Sequence, residues 1–221
     1  MLKAVLFDMD GVIVDSEPLH RKAYYKMFAD YGLEVSNVLY ESFTGKATLP
    51  ICETLCDEFS LNIAPLELVR AKRSHFKKLF EEDSALELID GVLDRIQDYH
   101  RNGLTLVLAS SASLPNINRI FKRFDLDRYF VGKLSGADLA ASKPHPEIFI
   151  KAAQTAGFSP LECMVIEDST NGIKAAHAAG IFCVAYESTH SHNQNYQLAN
   201  HRIQDFKEIA FDRIPTFFPN V

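Results

Sequence analysis

Lys3-Ala4-Val5-Leu6-Phe7-Asp8-Met9-Asp10-Gly11-Val12 is the stretch on which the reading of the chain turns. Ala4 to Phe7 is short, apolar and uncharged, which predicts a strand buried on both faces, as in the middle of a parallel sheet. Two aspartates two residues apart follow it, then a glycine. In extended chain such positions point to one side. Asp8 and Asp10 are therefore expected to project together from the strand's carboxyl end, where open α/β sheets bind ligands. Gly11 permits a sharp turn there. Two carboxylates held together repel, and two arrangements relieve the repulsion. One is a divalent cation, magnesium by the hardness of the donors; the other is an acid/base pair with separated pKa values. A solvated turn with two incidental acids would read the same way, so the rest of the chain decides.

Outward from this strand, Ser16-Glu17-Pro18 reads as a helix start, with serine as N-cap, an acid in the first turn and an early proline. That helix is expected to run to about Tyr31, closed by Gly32. Further helices are predicted over 38–43, 49–59 and 65–82, the last with a basic run at Arg70, Lys72, Arg73, Lys77 and Lys78. After Asp90-Gly91 the pattern changes. Helices over 92–101, 114–124, 146–156 and 172–179 alternate with strands over 104–109, 164–166 and 181–185, and 190–195 reads as a polar loop. Alternating strands and helices of this length imply βαβ units: a Rossmann-like α/β fold with a parallel sheet and helices on both faces. Residues 1–16 and 89–221 would form this α/β core domain, and 17–88 an inserted all-helical domain. The two links, near Asp15–Glu17 and Leu88–Gly91, leave and re-enter one sheet side by side, which suits a hinge.

Composition limits the function classes. The chain has 221 residues, 47% of them hydrophobic, enough for a real core. A net charge of -6 argues against nucleic acid or a membrane surface as partner. No apolar run reaches membrane-spanning length and Met1 leads straight into the first strand, so a cytoplasmic protein is expected, and a monomer. The four cysteines, Cys52, Cys56, Cys163 and Cys183, form no C-x-x-C pair and have no histidine at ligand spacing, so they read as buried reduced thiols.

Three later clusters fall at predicted strand or loop ends. Ser110-Ser111-Ala112-Ser113 offers hydroxyls and free N–H groups to a phosphate, although Ser111 or Ser113 would serve equally as an N-cap. Lys143 lies in Ser142-Lys143-Pro144-His145-Pro146, just before a helix, where a lysine taken singly reads as an exposed loop residue. Ile166-Glu167-Asp168-Ser169 is a second acidic pair at the end of what reads as the third strand. Taken together, acid, hydroxyl, cation and acid make up the chemistry of phosphate, metal and nucleophile.

In order and placement, Asp8-x-Asp10-Gly11, Ser110, Lys143 and Glu167-Asp168 resemble the four motifs of the haloacid dehalogenase-like hydrolases. FDMDGVIVDSEPLH, SKPHPEIF and IEDSTNGIKAAHAAG resemble the β-phosphoglucomutase and small-phosphatase branch of that superfamily. The resemblance implies that Asp8 attacks phosphorus to form an aspartyl-phosphate, while Asp10 protonates the leaving oxygen and then activates water. It implies Mg²⁺ on Asp8, the Asp10 carbonyl and Asp168, with Glu167 as a direct or indirect partner. Ser110, Ser111 and Lys143 would hold the phosphate. It makes the helical insert a cap whose loop from Phe43 to Thr48, with Thr44, Gly45 and Lys46, closes over a small phosphorylated metabolite, and it places His20 at the cap edge beside Asp10. The carbon–halogen and phosphonate hydrolases of this fold lack an aspartate at the place of Asp10, so phosphoryl transfer is the expected reaction.

Within the branch, β-phosphoglucomutases carry an arginine for the remote phosphate where Thr48 stands here, with Lys46 the nearest cation. Loss of such a clamp costs about 2–4 kcal/mol of bisphosphate binding, which favours a phosphatase over the mutase alternative. A receiver-type signalling module also combines aspartates, magnesium and a lysine, but it phosphorylates an aspartate on a later strand and has no helical insert after the first. An inert binding protein would not need every catalytic position filled.

Overall fold

The computed structural model describes residues 1–187 and 193–218. In chain order the elements are β1 (Ala4–Phe7), α1 (Glu17–Asp30), α2 (Asn37–Glu41), α3 (Thr48–Glu58), α4 (Pro65–Glu82), α5 (Val92–Arg101), β2 (Thr105–Ser110), α6 (Leu114–Phe124), β3 (Gly132–Ser135), α7 (Glu147–Ala156), β4 (Cys163–Glu167), α8 (Thr170–Ala178), β5 (Phe182–Tyr186) and β6 (His201–Ile203). The strands form one parallel sheet in the order β3-β2-β1-β4-β5-β6. β1 lies inside the sheet, and all four of its side chains are buried, as its apolar run requires. This is the expected α/β class.

Alternation along the strands supplies two core layers. Val5, Phe7, Leu106, Leu108 and Ile166 pack with Ile96 and Tyr99 of α5 and Ile117 and Phe121 of α6. Leu6, Val107, Ala109 and Val165 point the other way, against Phe149 and Ala152 of α7 and Ile173 and Ala176 of α8. Each large side chain so buried contributes about 1.5–3 kcal/mol. Both layers converge on β1, so the chain emerging from its carboxyl end starts from a fixed point.

The edge strands β3 and β6 were not expected from the sequence. They have only four and three residues, and include Lys133, His201 and Arg202. Edge strands need only one partner and tolerate polar side chains, so no apolar run announces them. The strand carrying Glu167 is accordingly the fourth in the chain, not the third. The loop expected over 190–195 lies partly outside the described residues, and the four cysteines are free and buried. Among the described residues, no helix is long and apolar enough to cross a membrane.

Helices α1 to α4 surround an apolar cluster of their own, including Tyr24, Met27, Phe28, Ile51, Leu55 and Leu68. Their sheet-proximal ends are not separate from the rest, since Leu19, Ala23, Phe76 and Phe80 belong to the main core. The links at 14–16 and 88–91 form a neck rather than free loops. Val14 bridges antiparallel to Leu88, and the Ile89 N–H donates to the Ile13 carbonyl at 3.0 Å.

Candidate active site

The carboxyl ends of β1, β2 and β4 and the inner faces of α1, α3 and α4 enclose a cavity of about 70 Å³. Asp8, Asp10, Ser110, Ser111 and Asp168 line it from the sheet side; Glu17, His20, Thr44, Gly45, Lys46, Thr48 and Lys72 line it from the helical side. Every residue singled out from the sequence faces this space except Lys143 and Glu167, which lie directly behind Asp8.

Lys143 is only 2% exposed. Its Nζ donates to Asp8 Oδ1 at 2.5 Å, Glu167 Oε1 at 2.6 Å and the Ala109 carbonyl at 3.1 Å. An ammonium has three protons, and all three are used. Burial alone would lower its pKa, but the Asp8 and Glu167 charges override that and raise it, so Lys143 stays a cation. Burial, with the Glu167 and Asp10 charges adding to it, outweighs the pull of Lys143 on Asp8 and pushes that carboxyl up to about 8.

Glu167 is fully occupied. Beyond Lys143, its Oε2 accepts from the Ser169 N–H at 2.8 Å and the Ser169 hydroxyl at 3.0 Å. Asp168 lies against the turn after β1, where Gly11 has φ +82° and an added Cβ would come within 2.2 Å of Asp168 Oδ2. Only glycine fits there, for both reasons. Among the described residues, no three His, Cys, Asp or Glu side chains gather into a metal cage. Magnesium does not require one: it takes one or two carboxylates and completes its shell with carbonyls, water and substrate phosphate. Asp8 and Asp168, both on the cavity, and the hard oxygens of the turn fit that ion, whereas Glu167 contributes by holding Lys143 and Ser169.

The Asp10 carboxylate is turned toward the neck of the helical insert. It accepts from the Ser16 hydroxyl and lies 3.2 Å from His20 Nε2. Ser16 occupies the N-cap place of α1 but makes no capping bond, because its hydroxyl is committed to Asp10. Burial would raise the Asp10 pKa, but His20 first, then Ser16 and Lys72, hold it below the usual carboxylate range. On the other side of the ring, Lys72 Nζ lies 2.7 Å from His20 Nδ1. An ammonium can only donate, so Nδ1 accepts and Nε2 carries the proton directed at Asp10. Lys72 is 3% exposed and lies over the Tyr24 ring. Burial pushes its pKa down to about 8, against the pull of Asp10 and Glu17.

From the sequence, Lys72 is one member of the basic run of α4 and carries no role at the site. The signal that corrects this was present: Leu68, Lys72, Phe76 and Phe80 recur every four residues, which puts Lys72 on the apolar stripe, and all four are buried. Glu17, Tyr24 and Tyr40 also line the cavity without having been singled out for it.

Ser110 and Ser111 divide their work. Ser110 is buried on the cavity wall and its Oγ accepts from the Ala112 N–H at 3.1 Å. Ser111 instead donates to the Gly45 carbonyl at 2.9 Å, tying the loop over 43–48 to the end of β2. Asn171 does the same for the Thr44 carbonyl at 2.7 Å. Ser113 takes the N-cap place of α6 without a side-chain bond. At Gly45, φ is +77° and a Cβ would lie 2.4 Å from the Ser169 hydroxyl, so the loop can come this close only with glycine.

The chain is similar to known proteins along most of its length. A family model described as "Hydrolase: haloacid dehalogenase-like hydrolase" matches residues 2–180. The phosphorylated carbohydrates phosphatase of Thermotoga maritima is 31% identical over 201 residues, 89% of this chain and 90% of that protein. Hexitol phosphatase B of Escherichia coli is 28% identical over 210 residues, 94% of each. The crystal structure of CbbY from Rhodobacter sphaeroides in complex with phosphate superposes with a TM-score of 0.83 at 27% identity, covering 95% of this chain and 96% of that one.

Proposed function

The chain belongs to the haloacid dehalogenase-like hydrolase family, and from that premise we propose that it is a Mg²⁺-dependent phosphatase of small sugar or metabolite phosphomonoesters, acting through an aspartyl-phosphate on Asp8. The observation that carries this reading is the placement of Asp8: at the end of β1, open to the cavity in front and paired with Lys143 behind. An Asp8 oxygen attacks phosphorus as the bond to the leaving oxygen breaks. Asp10 delivers a proton to that oxygen, and afterwards takes one from the water that clears the phosphoenzyme. His20 and Ser16 favour the carboxylate form of Asp10, which suits the second step. A phosphate dianion arriving beside Asp10 opposes them and favours the proton the first step needs. Ser110 faces the phosphoryl oxygens, whereas Lys143, expected from the sequence to hold them too, spends its three protons on Asp8, Glu167 and the Ala109 carbonyl and acts by holding the nucleophile.

Magnesium, held by the Asp8 carboxylate, the Asp10 carbonyl and Asp168, would supply the positive charge that lets an anionic nucleophile meet an anionic phosphate. Residues 17–88 would act as a cap that closes on the neck and shuts water out. The mutase alternative has less behind it: Thr48 holds the place of the mutase arginine, and the relatives described above are named as phosphatases.

The test is a panel of sugar, polyol and small-metabolite phosphates assayed for phosphate release with Mg²⁺ and again after chelation. Release from several members, abolished by chelator, is expected. β-Glucose 1-phosphate with a trace of the 1,6-bisphosphate is the discriminating substrate: glucose 6-phosphate appearing rapidly with little free phosphate would overturn the phosphatase reading in favour of the mutase.

A further inference from the structure

We propose that Lys72 is a covalent modification site: its amine condenses with the carbonyl of a short phosphorylated aldehyde held in the cavity, and the imine so formed switches the enzyme off. The inference rests on the reading above only in placing the phosphate against Ser110 on the sheet side. Lys72 and Lys143 are both buried beside the cavity, in opposite surroundings. Lys143 lies between two carboxylates and stays a cation. No ion pair to a carboxylate holds Lys72 among the described residues. Its Nζ bonds to His20 Nδ1 at 2.7 Å, with the ring centres of Tyr24 and Phe76 at 4.6 and 5.3 Å. Lys72, His20 and Tyr24 all line the cavity, so the amine is reached from inside it and not from bulk solvent.

The titratable groups facing Lys72 are His20, Glu17 and Tyr24 from α1, Asp10 from the end of β1, Cys52 from α3 and Arg73 from its own helix. Asp10, Glu17 and Cys52 favour the ammonium and Arg73 opposes it, but burial outweighs them and brings the pKa to about 8. About a tenth of the chains then hold the free amine at pH 7, against less than about a thousandth for an ordinary lysine. An amine desolvated among apolar side chains is the form that attacks carbonyls. One imidazole ring and two hydrogen bonds separate it from Asp10. That separation suits a carbonyl only a few carbons from the phosphate. The nitrogen lone pair adds to the carbonyl carbon, and the C=O π pair moves to the oxygen. Both amine protons leave with that oxygen as water while the C=N bond closes, and no oxidant or reductant is consumed. A neutral imine has no proton for His20 Nδ1. The tautomer aimed at Asp10 is then no longer held, and the adduct fills the space of the alcohol.

The experiment incubates Asp8→Asn, in which the probe persists, with glycolaldehyde phosphate, traps imines with cyanoborohydride and maps them by peptide mass spectrometry. Glycolaldehyde, which lacks the phosphate, and ethyl phosphate, which lacks the carbonyl, are the comparison compounds. Lys72 should be labelled about 10-fold faster by the phosphorylated aldehyde than by glycolaldehyde, and ethyl phosphate should slow that labelling about 10-fold, as a reaction directed from a bound state requires. Lys72→Met should lose this adduct, and wild type treated in the same way should lose turnover in proportion to its label. Labelling confined to Lys46 or to exposed lysines overturns the proposal. So does equal labelling of Lys72 by both aldehydes, or full turnover in labelled protein. If Lys72 is labelled as expected while untreated wild type frees phosphate from no monoester, the imine site stands and the phosphatase reading fails. If wild type frees phosphate and Lys72 stays unmodified, the imine site alone fails.

Discussion

Asp8, Lys143 and Glu167 on the sheet side of the cavity form a closed network, in which Lys143 spends all three protons and Glu167 uses both oxygens. Across the cavity, Glu17 and Lys46 carry no hydrogen bond from their side chains among the described residues. The loop bearing Thr44 and Gly45 is tied to the sheet side by single bonds from Ser111 and Asn171. The first group is fixed by strand pairing, since Asp8 cannot shift without disturbing β1 between its two neighbours. The second is carried on helices whose contact with the sheet domain is thin at the cavity and firm only at the neck. In the proposed reaction, reacting atoms must be placed to a fraction of an ångström, whereas the leaving alcohol must be admitted and released. The two halves are built to those different tolerances.

The hardest test of that contrast is on the sheet side. Asp8→Asn should lower turnover by about 10⁴-fold or more, as loss of a nucleophile does. It should remain folded, because Lys143 keeps Glu167 and the Ala109 carbonyl. Turnover on a sugar phosphate with a thermal melt decides it, and appreciable activity in folded Asp8→Asn protein would remove Asp8 from its role. Lys143→Met should cost both activity, by about 10³-fold, and about 3–5 kcal/mol of stability, since it leaves two buried carboxylates unpaired. Urea titrations should show the deficit shrinking as pH falls and those carboxylates take up protons. A deficit that does not change with pH would mean the network is not electrostatic.

The same contrast explains what could be read from the sequence. Apolar runs and the acids at their ends announce a buried parallel strand and its ligand-facing end, so β1, β2, β4, Asp8, Asp10 and Asp168 were legible; Lys143, a loop lysine, stood out only in company with the other clusters. β3 and β6 were not, because an edge strand of three or four residues carries no pattern of its own. On the helical side, polar residues were read by their commonest use. Ser16 looked like a cap but bonds Asp10; Glu17 looked like a partner for the helix dipole but lines the cavity; Lys72 looked like one member of a basic face. Each depends on a packing partner far away in sequence. Only Lys72 left a local trace, its place in the four-residue spacing of buried residues.

Lys72 is also where the contrast can be sharpened, as a buried cation on the tolerant side. Lys72→Met should reduce kcat/KM about 10–100-fold by freeing the His20 ring from its tautomer and loosening Asp10. Its folded pKa, about 8, lies below the ordinary 10.5. Between those values the unfolded chain holds the extra proton, so the folding penalty from Lys72 is complete below pH 8 and relieved as pH rises toward 10.5. Lys72→Met should therefore be more stable than wild type at pH 7, by about 1–3 kcal/mol, with the advantage fading at higher pH. Denaturation at pH 7 and pH 10 checks the sign. A variant less stable at pH 7 would mean that the His20 bond and the Tyr24 ring repay the buried charge in full.

The smallest effect concerns the ties of the loop bearing Thr44 and Gly45. Ser111→Ala and Asn171→Ala each remove one neutral hydrogen bond to a loop carbonyl, a net loss of about 0.5–1.5 kcal/mol. If these bonds hold the cavity closed, the closed-to-open ratio falls by about 2–10-fold in each variant, and KM should rise by up to that factor while kcat changes little, because neither side chain is needed to place Asp8 or Asp10. The two bonds act on adjacent carbonyls of one loop, so the double variant should show less than the sum of the single free-energy losses once the loop is already loose. Solution scattering on the double variant should then report a more extended particle than wild type, with the difference vanishing when Mg²⁺ and a phosphate analogue are bound. KM values equal to wild type in both single variants would show that closure is governed by the neck at Val14 and Leu88 rather than by the loop.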